Sequence, residues 1–279
     1  MHFLADESGD AIARKALRVN LSDLAAKGAQ PAGFLLALAL PGDIGEPWLA
    51  AFAAALGEDA EAFGCPLLGG DTDRTPGPLT VSITAFGTLP HGTMVRRSGA
   101  RPGDRVVVTG TIGDAALGLQ LRRDPRLAAR WGLDHAMVEH LVQRYRIPQP
   151  RNSVAELVRR HASAAMDVSD GFAGDLAKLT RVSQVRAEID VRRLPLSPGA
   201  TAALAAEPGL LATVVSGGDD YEILCTVSPA GLAPFVAAAA LAGVPVTEVG
   251  HIAAGQGSPV YSGDSGQLHG LGRPSYSHF

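Results

Sequence analysis

Apolar residues recur along the chain with spacings that alternate between helical and extended periods. Between residues 10 and 28, Ile12, Leu17 and Leu21 mark one face at helical spacing, which predicts an amphipathic helix. Residues 34–40 form a continuous apolar run, which favours a strand buried on both faces. Residues 79–89 alternate with a period of two and predict a half-buried strand.

The same alternation of helix and strand patterns continues on both sides of a polar stretch at residues 90–104. Pro47 occupies the favoured first turn of an alanine-rich helix that runs to Phe63. The patterns beyond the stretch predict strands at 105–110 and 187–191, helices at 113–121, 133–146 and 153–161, and a buried helix leading into a strand at 235–246. We therefore expect a two-domain α+β fold, with domains at residues 1–92 and 93–279.

Composition and charge exclude several classes of function. Hydrophobic residues make up 46% of the 279 residues and the net charge is −4, so we expect a folded protein without the basic surface that nucleic acid requires. No apolar run is long enough to span a membrane, and no secretory signal precedes the first helix. The two cysteines lack metal-ligand spacing, which favours a reducing cytoplasm over a disulfide framework.

Aspartates beside glycines and apolar runs are the clearest chemical feature. Such positions are expected at strand ends, where carboxylates can hold Mg²⁺ against substrate phosphates. The alternative without a functional role is that these aspartates are turn residues or helix caps. Asp167 and Asp170, for example, could cap a helix at 172–179. Asp23 resists that interpretation, because it lies within an apolar helix and a buried unpaired carboxylate is costly. The segments contain Asp23, Asp71 with Asp73, Asp167 with Asp170, and Asp219 with Asp220.

Arginines in the polar stretch could supply the complementary charge. Arg96, Arg97 and Arg101 follow one another closely, and an arginine can bind a phosphate with two parallel hydrogen bonds. A solvated run of charges is the alternative. The chain has no Gly-Lys-Ser/Thr triplet, so a phosphate-binding loop of the Walker type is not expected.

Several motifs together resemble one enzyme family. In order along the chain they are "HF", "KALRVNLSDLAAKGAQP", "GGDTD", "RRSGARPGD", "TGTIGDAALGL", "MDVSDGFAGDL", "SGGDDYEI" and a closing "HF". This series resembles thiamine-monophosphate kinase, of the superfamily that also contains aminoimidazole ribonucleotide synthetase and selenophosphate synthetase. The resemblance covers nearly the whole chain.

The resemblance implies a fold, a reaction and a set of site residues. The fold would be that of aminoimidazole ribonucleotide synthetase, with an N-terminal sheet domain, which forms a homodimer if the family's N-terminal strands are present, and a C-terminal α/β domain. The reaction would transfer the γ-phosphoryl group of ATP directly to thiamine monophosphate, with several Mg²⁺ ions screening the charges. The implied metal ligands are Asp23, Asp71, Asp167 and Asp170, with Asp71 and Asp167 as the catalytic pair. The implied nucleotide contacts are Gly70, Asp71, Arg97 and Ser169, and the implied substrate contacts are His2, Asp219 and Tyr276.

Two departures from the family pattern keep other functions open. The family usually has glutamate where this sequence has Asp219. It also carries a further N-terminal segment with metal ligands and dimer-forming strands, whereas this sequence begins inside the first "HF" motif. The alternatives are another ATP-using member of the superfamily and a catalytically impaired nucleotide-binding protein.

Overall fold

A computed structural model describes residues 3–263 and 266–268 of the chain. The helices are α1 (Gly9–Ala26), α2 (Glu46–Ala62), α3 (Asp114–Arg123), α4 (Leu127–Arg130), α5 (His135–Arg146), α6 (Ala155–His161), α7 (Phe172–Ser183), α8 (Pro198–Ala206), α9 (Leu211–Ser216) and α10 (Pro229–Leu241). The strands are β1 (Gln30–Leu40), β2 (Leu67–Arg74), β3 (Thr80–Thr88), β4 (Arg105–Thr109), β5 (Ala162–Asp167), β6 (Arg186–Asp190), β7 (Ile223–Val227), β8 (Val246–Ala253), β9 (Val260–Gly263) and β10 (Gly266–Leu268). Short 3₁₀ helices lie at Asn152–Val154, Val191–Arg193 and Pro208–Leu210.

The first half of the chain builds a three-stranded sheet in the order β2-β1-β3. The central strand β1 runs parallel to β2 and antiparallel to β3. Helices α1 and α2 cover one face, and Leu17, Leu21, Phe34 and Phe52 are buried between the helices and the sheet. The predicted first helix and the period-two strand β3 are both confirmed.

The other face of this small sheet is open, so the prediction that residues 34–40 are buried on both faces is wrong. Leu35 is 41% exposed although its neighbour Phe34 is fully buried. Phe86 of β3 pairs with Gly33, and the Leu68 side chain lies over the same glycine. Leu35, Leu68 and Phe86 therefore form an exposed apolar patch, because helices cover the small sheet on one face only.

The glycine-aspartate motif of residues 69–73 was expected at a strand end, and the structure instead makes it part of an extended edge strand. Gly70 and Asp71 of β2 pair with Leu36 and Ala37 of β1. A β-carbon on Gly70 would overlap the carbonyl of Leu36, so glycine is needed for the close strand approach. Backbone pairing with β1 thus overrides the turn tendency of the glycines.

The second half builds a seven-stranded mixed sheet in the order β10-β9-β6-β8-β4-β7-β5. Alternate residues of β4 point to opposite faces: Val106 and Val108 pack in the same cluster as Phe172 of α7, and Val107 packs with α6 and α10. Helix α1 joins the two halves, since its Ala25 and Ala26 belong to the core of the large sheet. The expected α+β architecture is confirmed, and the structure builds it from a small and a large sheet.

Helix α10 corrects a second burial prediction. The segment 235–246 does lead from a helix into strand β8, but only Phe235 and Ala239 of α10 are buried, and Leu241 is 93% exposed. A short apolar helix can lie on the surface because alanine exposes little apolar area. Among the described residues, no helix combines the length and apolarity needed to cross a bilayer.

Candidate active site

A cleft of about 590 Å³ lies among elements that are far apart in sequence. It is lined by Phe3 and Leu4 from the chain start, by residues of α3 and α9, and by Tyr145 of α5. The loop after β5, with Ser169 and Asp170, and the loop before β7 complete the lining. The volume is within the range of small-molecule sites.

The loop before β7 is held tightly against the loop after β5. The backbone amide of Asp219 donates to the Ser169 carbonyl at 2.9 Å, and that of Tyr221 donates to the Val168 carbonyl at 2.9 Å. A β-carbon on Gly218 would overlap the Ser169 carbonyl. Asp219 and Tyr221 both have left-handed backbone angles, with φ of 72° and 51°. Strain of this kind is stored where surrounding contacts over-determine the backbone.

Buried charges beneath this loop provide those contacts. Glu222 is fully buried and accepts hydrogen bonds from Arg144 at 2.7 Å, Arg151 at 2.7 Å and the Thr109 hydroxyl at 2.7 Å. Arg144 also donates to the Asp220 carbonyl at 2.9 Å. The network fixes the end of the strained loop where β7 begins.

A different aspartate organises the loop after β5. Asp175 of α7 is buried and accepts from the backbone amides of Ser169 at 3.0 Å and Asp170 at 2.9 Å. Lys178 bridges the carboxylates of Asp170 and Asp175. Helix α7 has Gly171 at its N-cap and no side-chain cap, so the alternative that Asp167 or Asp170 caps it is wrong.

Asp167, the last residue of β5, lies close to Asp23 of α1. Burial, followed by repulsion from Asp23, raises the pKa of Asp167 to about 7. Asp23 itself is exposed, which corrects the expectation of a buried carboxylate, because it lies on a side of α1 that neither core covers. Burial lowers the pKa of nearby Lys27, as does the charge of Arg97, while Asp167 and Asp23 oppose this shift. These four charges share one neighbourhood.

Asp71 lies on the small sheet rather than in a cluster of carboxylates. It is exposed, and one of its oxygens accepts from the backbone amide of Thr72 at 2.9 Å. Gly70 beside it is also exposed. Within residues 3–263, no three acidic, histidine or cysteine side chains converge on a common point that could hold a metal ion.

Two of the expected substrate contacts, His2 and Tyr276, lie outside the described residues. The third, Asp219, lines the cleft together with Ser169 and Asp170. The structure thus brings three of the expected site residues to one cleft and places Asp23, Arg97 and Asp167 in a second group.

Comparison with known proteins identifies the family. The N-terminal domain model of AIR synthase related proteins matches residues 1–89, and the C-terminal domain model matches residues 101–262. The thiamine-monophosphate kinase of Caulobacter vibrioides is 46% identical over 94% of this chain and 73% of its own length. The chain belongs to the thiamine-monophosphate kinase family. The enzyme of that name from Salmonella typhimurium is 41% identical over 91% of this chain and 75% of its own length.

Solved structures of thiamine-monophosphate kinases share the fold. The enzyme from Stenotrophomonas maltophilia K279a has a TM-score of 0.85 at 36% identity, covering 96% of this chain and 83% of its own. AaThiL, solved in complex with AMPPCP and TMP, has a TM-score of 0.84 at 29% identity and covers 100% of this chain and 83% of its own. The hydrogenase maturation protein HypE, at 18% identity and a TM-score of 0.75, shares the fold alone.

In this member of the thiamine-monophosphate kinase family, the sequence motifs predicted several residues that line the cleft. They did not predict the buried residues that hold those lining residues in place. Lys15, Arg144, Asp175 and Glu222 make buried contacts around the site and were not among the expected site residues. Asp175 and Glu222 do lie within motifs of the resemblance, which is a signal that could have singled them out. Lys15, the first residue of the motif "KALRVNLSDLAAKGAQP", carried the same signal. Arg144 lies in none of the motifs, and an arginine in a helix is usually solvated.

Proposed function

We propose that this chain phosphorylates thiamine monophosphate with ATP to give thiamine diphosphate. The observation that carries the proposal is the 46% identity to the Caulobacter vibrioides thiamine-monophosphate kinase across 94% of the chain. The cleft between α3, α5 and the two loops supports it, because a site of this volume can take a small phosphorylated ligand. AaThiL was solved with AMPPCP and TMP, which makes ATP and thiamine monophosphate the ligands to test first.

ATP is proposed to bind to residues of the glycine-aspartate motifs and to Arg97, which lies near the boundary between the two proposed domains. Gly70, Asp71, Arg97 and Ser169 would contact ATP. Arg97 is exposed and belongs to the same charge neighbourhood as Asp167, so it is free to pair with phosphate oxygens. Ser169 lines the cleft, and its backbone is fixed by Asp175. Transfer would be direct, with the residues positioning the two phosphates and no covalent enzyme intermediate.

Mg²⁺ is the proposed counter-ion of the phosphates, and it would be held by Asp23, Asp71, Asp167 and Asp170, which the described part of the chain does not bring to one point. Asp23 and Asp167 repel each other in the described structure, and a divalent cation between carboxylates relieves such repulsion. Hard oxygen ligands are also those that Mg²⁺ prefers. The bound ions would screen the charges of the phosphates during transfer. Asp71 and Asp167 are the proposed catalytic pair.

Asp219 is the proposed contact of the thiamine end of the substrate, with His2 and Tyr276 as further contacts. The thiazolium ring of thiamine carries a permanent positive charge, and a carboxylate at the cleft wall attracts it. Tyr145, Phe3 and Leu4 also line the cleft and supply aromatic and apolar surface. The chemistry of the cleft therefore matches a cationic heterocycle with a phosphate.

The proposal also covers the oligomeric state of the protein, the limits of its two domains and its cellular location. We infer that the open face of the small sheet pairs with a second copy to form a homodimer, because Leu35, Leu68 and Phe86 leave an apolar patch there. The proposed domains are residues 1–92 and 93–279. A cytoplasmic location stays a prediction from the sequence.

Asp71→Asn tests the proposed reaction and the role of Asp71 together. The unmodified chain is expected to form thiamine diphosphate from thiamine monophosphate, ATP and Mg²⁺, and the substitution should slow formation about a hundredfold by removing a charge that acts on the phosphates. Asp73→Asn is the matched control, since Asp73 is also exposed, lies two residues along the same strand and accepts from the next backbone amide. The control should retain the unmodified rate.

The outcomes separate the alternatives. Turnover of other phosphate acceptors with none of thiamine monophosphate would favour a different ATP-using member of the superfamily. ATP binding without any transfer would favour an impaired nucleotide-binding protein. Equal rates for the Asp71 and Asp73 variants would remove Asp71 from the proposed machinery.

A further inference from the structure

Lys15 is a buried cation on α1, in the first half of the chain, whose ammonium group donates hydrogen bonds to residues of the second half. It is only 4% exposed, although lysine is almost never buried unless it is paired. Its neighbours on the helix, Arg14 and Arg18, both bind Asp59 of α2 within the first half. Lys15 instead points toward the second half of the chain, where its ammonium group donates to Tyr145 and Asp219.

Those contacts end on the cleft. The Lys15 ammonium donates to Asp219 Oδ2 at 2.8 Å and to the Tyr145 carbonyl at 2.8 Å, and it lies 3.9 Å from the centre of the Tyr145 ring. Both Asp219 and Tyr145 line the cleft. The Lys15 ammonium, from the first half of the chain, therefore fixes two residues that line the cleft in the second half.

The Asp219 side chain extends from a strained backbone position and is held by two hydrogen bonds. The Asp219 backbone has the left-handed φ of 72°, which a non-glycine residue adopts at some cost in energy. The second carboxylate oxygen accepts from the Tyr221 hydroxyl at 3.2 Å, a long hydrogen bond. The shorter bond from Lys15 is charge-assisted and is the stronger of the two restraints.

We propose that Lys15 is a positioning residue that holds the Asp219 carboxylate toward the thiamine end of the substrate. This inference rests on the proposed function, in which Asp219 contacts thiamine monophosphate. Lys15 acts through Asp219 and makes no contact with the substrate itself, since its own side chain is enclosed by α1, α5 and the loop before β7. The first half of the molecule thereby controls substrate affinity in the second.

Lys15 can affect substrate affinity in two opposite ways, by positioning the Asp219 carboxylate and by neutralising its charge. Whether removal of Lys15 weakens or strengthens binding therefore distinguishes the two. Lys15 partly cancels the charge of Asp219, and removing the ammonium would by itself strengthen attraction of a cationic ring. Removing it also leaves the Asp219 side chain with only the long hydrogen bond from Tyr221, so the carboxylate is less firmly held in one direction. A carboxylate held in place contributes more to a specific site than one extra exposed charge, which is weakened by water and salt.

The experiment measures binding, so it does not depend on turnover. Calorimetry in the presence of Mg²⁺ and AMPPCP gives the dissociation constant of thiamine monophosphate for the full chain and for Lys15→Met, Asp219→Asn and the double variant. Lys15→Met and Asp219→Asn should each weaken binding about tenfold, the effect of losing one charge-assisted hydrogen bond. The double variant should be no weaker than Asp219→Asn alone, because Lys15 has nothing left to position.

Two further variants guard against a loss of folding. Arg14→Met removes the adjacent cation of α1, whose partners Glu58 and Asp59 lie on α2, and should leave the dissociation constant unchanged. Lys15→Gln keeps a hydrogen-bond donor for the Tyr145 carbonyl and should bind as weakly as Lys15→Met. It replaces Lys15→Met in the cycle if the methionine variant does not fold.

Each outcome decides the inference. Unchanged or tighter binding by the Lys15 variants, with normal binding by the unmodified chain, would overturn the positioning role and leave the proposed function intact. Effects that multiply in the double variant would also overturn it, since Lys15 would then act independently of Asp219. No binding of thiamine monophosphate by the unmodified chain would reject the proposed function and this inference together.

Discussion

Asp175 shows how a single buried carboxylate can organise a site without touching a ligand. Its two backbone acceptor bonds hold the amides of Ser169 and Asp170 in a loop that no regular structure supports. Burial raises the pKa of Asp175, and the hydrogen bond from Lys178 opposes that shift. At the scale of the residue, the cleft therefore depends on groups that lie behind its lining.

Asp175→Ala should destabilise the fold by about 3 kcal/mol, because two partly buried backbone amides lose their buried acceptor and Lys178 loses a partner. The measurement is the free energy of unfolding from urea denaturation. Asp190→Ala is the control, since Asp190, the last residue of β6, also accepts from a backbone amide, that of Arg192, but this hydrogen bond is exposed to solvent. The control should lose far less stability, and equal losses would contradict the argument from burial.

Helices α3 and α5 approach each other unusually closely, and this closeness shapes the cleft. A β-carbon on Gly118 of α3 would overlap the carbonyl of Leu141 on α5. Ala116 and Leu119 of α3 and Tyr145 of α5 line the cleft just beyond the contact. The distance between the two helices thus sets the position of one cleft wall.

Gly118→Ala should lower stability by about 2 kcal/mol, because the helices must separate to admit the methyl group. In an open helix position the same change raises stability by about 0.5–1 kcal/mol, since alanine is the better helix former. Gly57→Ala in α2 is the matched control, with open space around the glycine. Thermal unfolding should therefore shift in opposite directions for the two variants. A gain in melting temperature for Gly118→Ala would show that α3 and α5 can move apart freely.

The whole molecule is organised by α1, which belongs to both halves. Its Leu17 and Leu21 pack on the small sheet, while Ala25 and Ala26 pack beneath the large one. Polar contacts follow the same path, since Asn152 donates to the Leu21 carbonyl at 3.1 Å and Arg159 to the Gly28 carbonyl at 3.1 Å. This shared helix leaves the opposite face of the small sheet uncovered.

Leu35→Glu tests the proposed homodimer at that open face. If two copies pair there, a buried glutamate in each would repel and lack a partner, and the complex should dissociate to monomers. Light scattering after size-exclusion chromatography measures the mass. Leu241→Glu is the control, because Leu241 is 93% exposed on α10 in the other half and should leave the mass unchanged. A monomeric unmodified chain, or a dimer that tolerates Leu35→Glu, would reject this surface as the interface.

Local pattern was sufficient for much of the secondary structure. The helical spacing of α1 and the alternation of β3 predicted both elements, because each depends on residues near in sequence. The series of motifs also indicated the family that the comparisons identified. Burial was less predictable: β1 and α10 have apolar sequences, and each is exposed where no layer covers it.

The sequence by itself determined the fold class, the family and the acidic motifs that supply the expected site residues. Tertiary structure alone decided which of those residues meet. Asp219 and Lys15 are 204 residues apart along the chain and bind each other, and the turn-like motif at Asp71 became an edge strand through pairing with β1. Such outcomes depend on contacts between distant segments, which no local periodicity encodes.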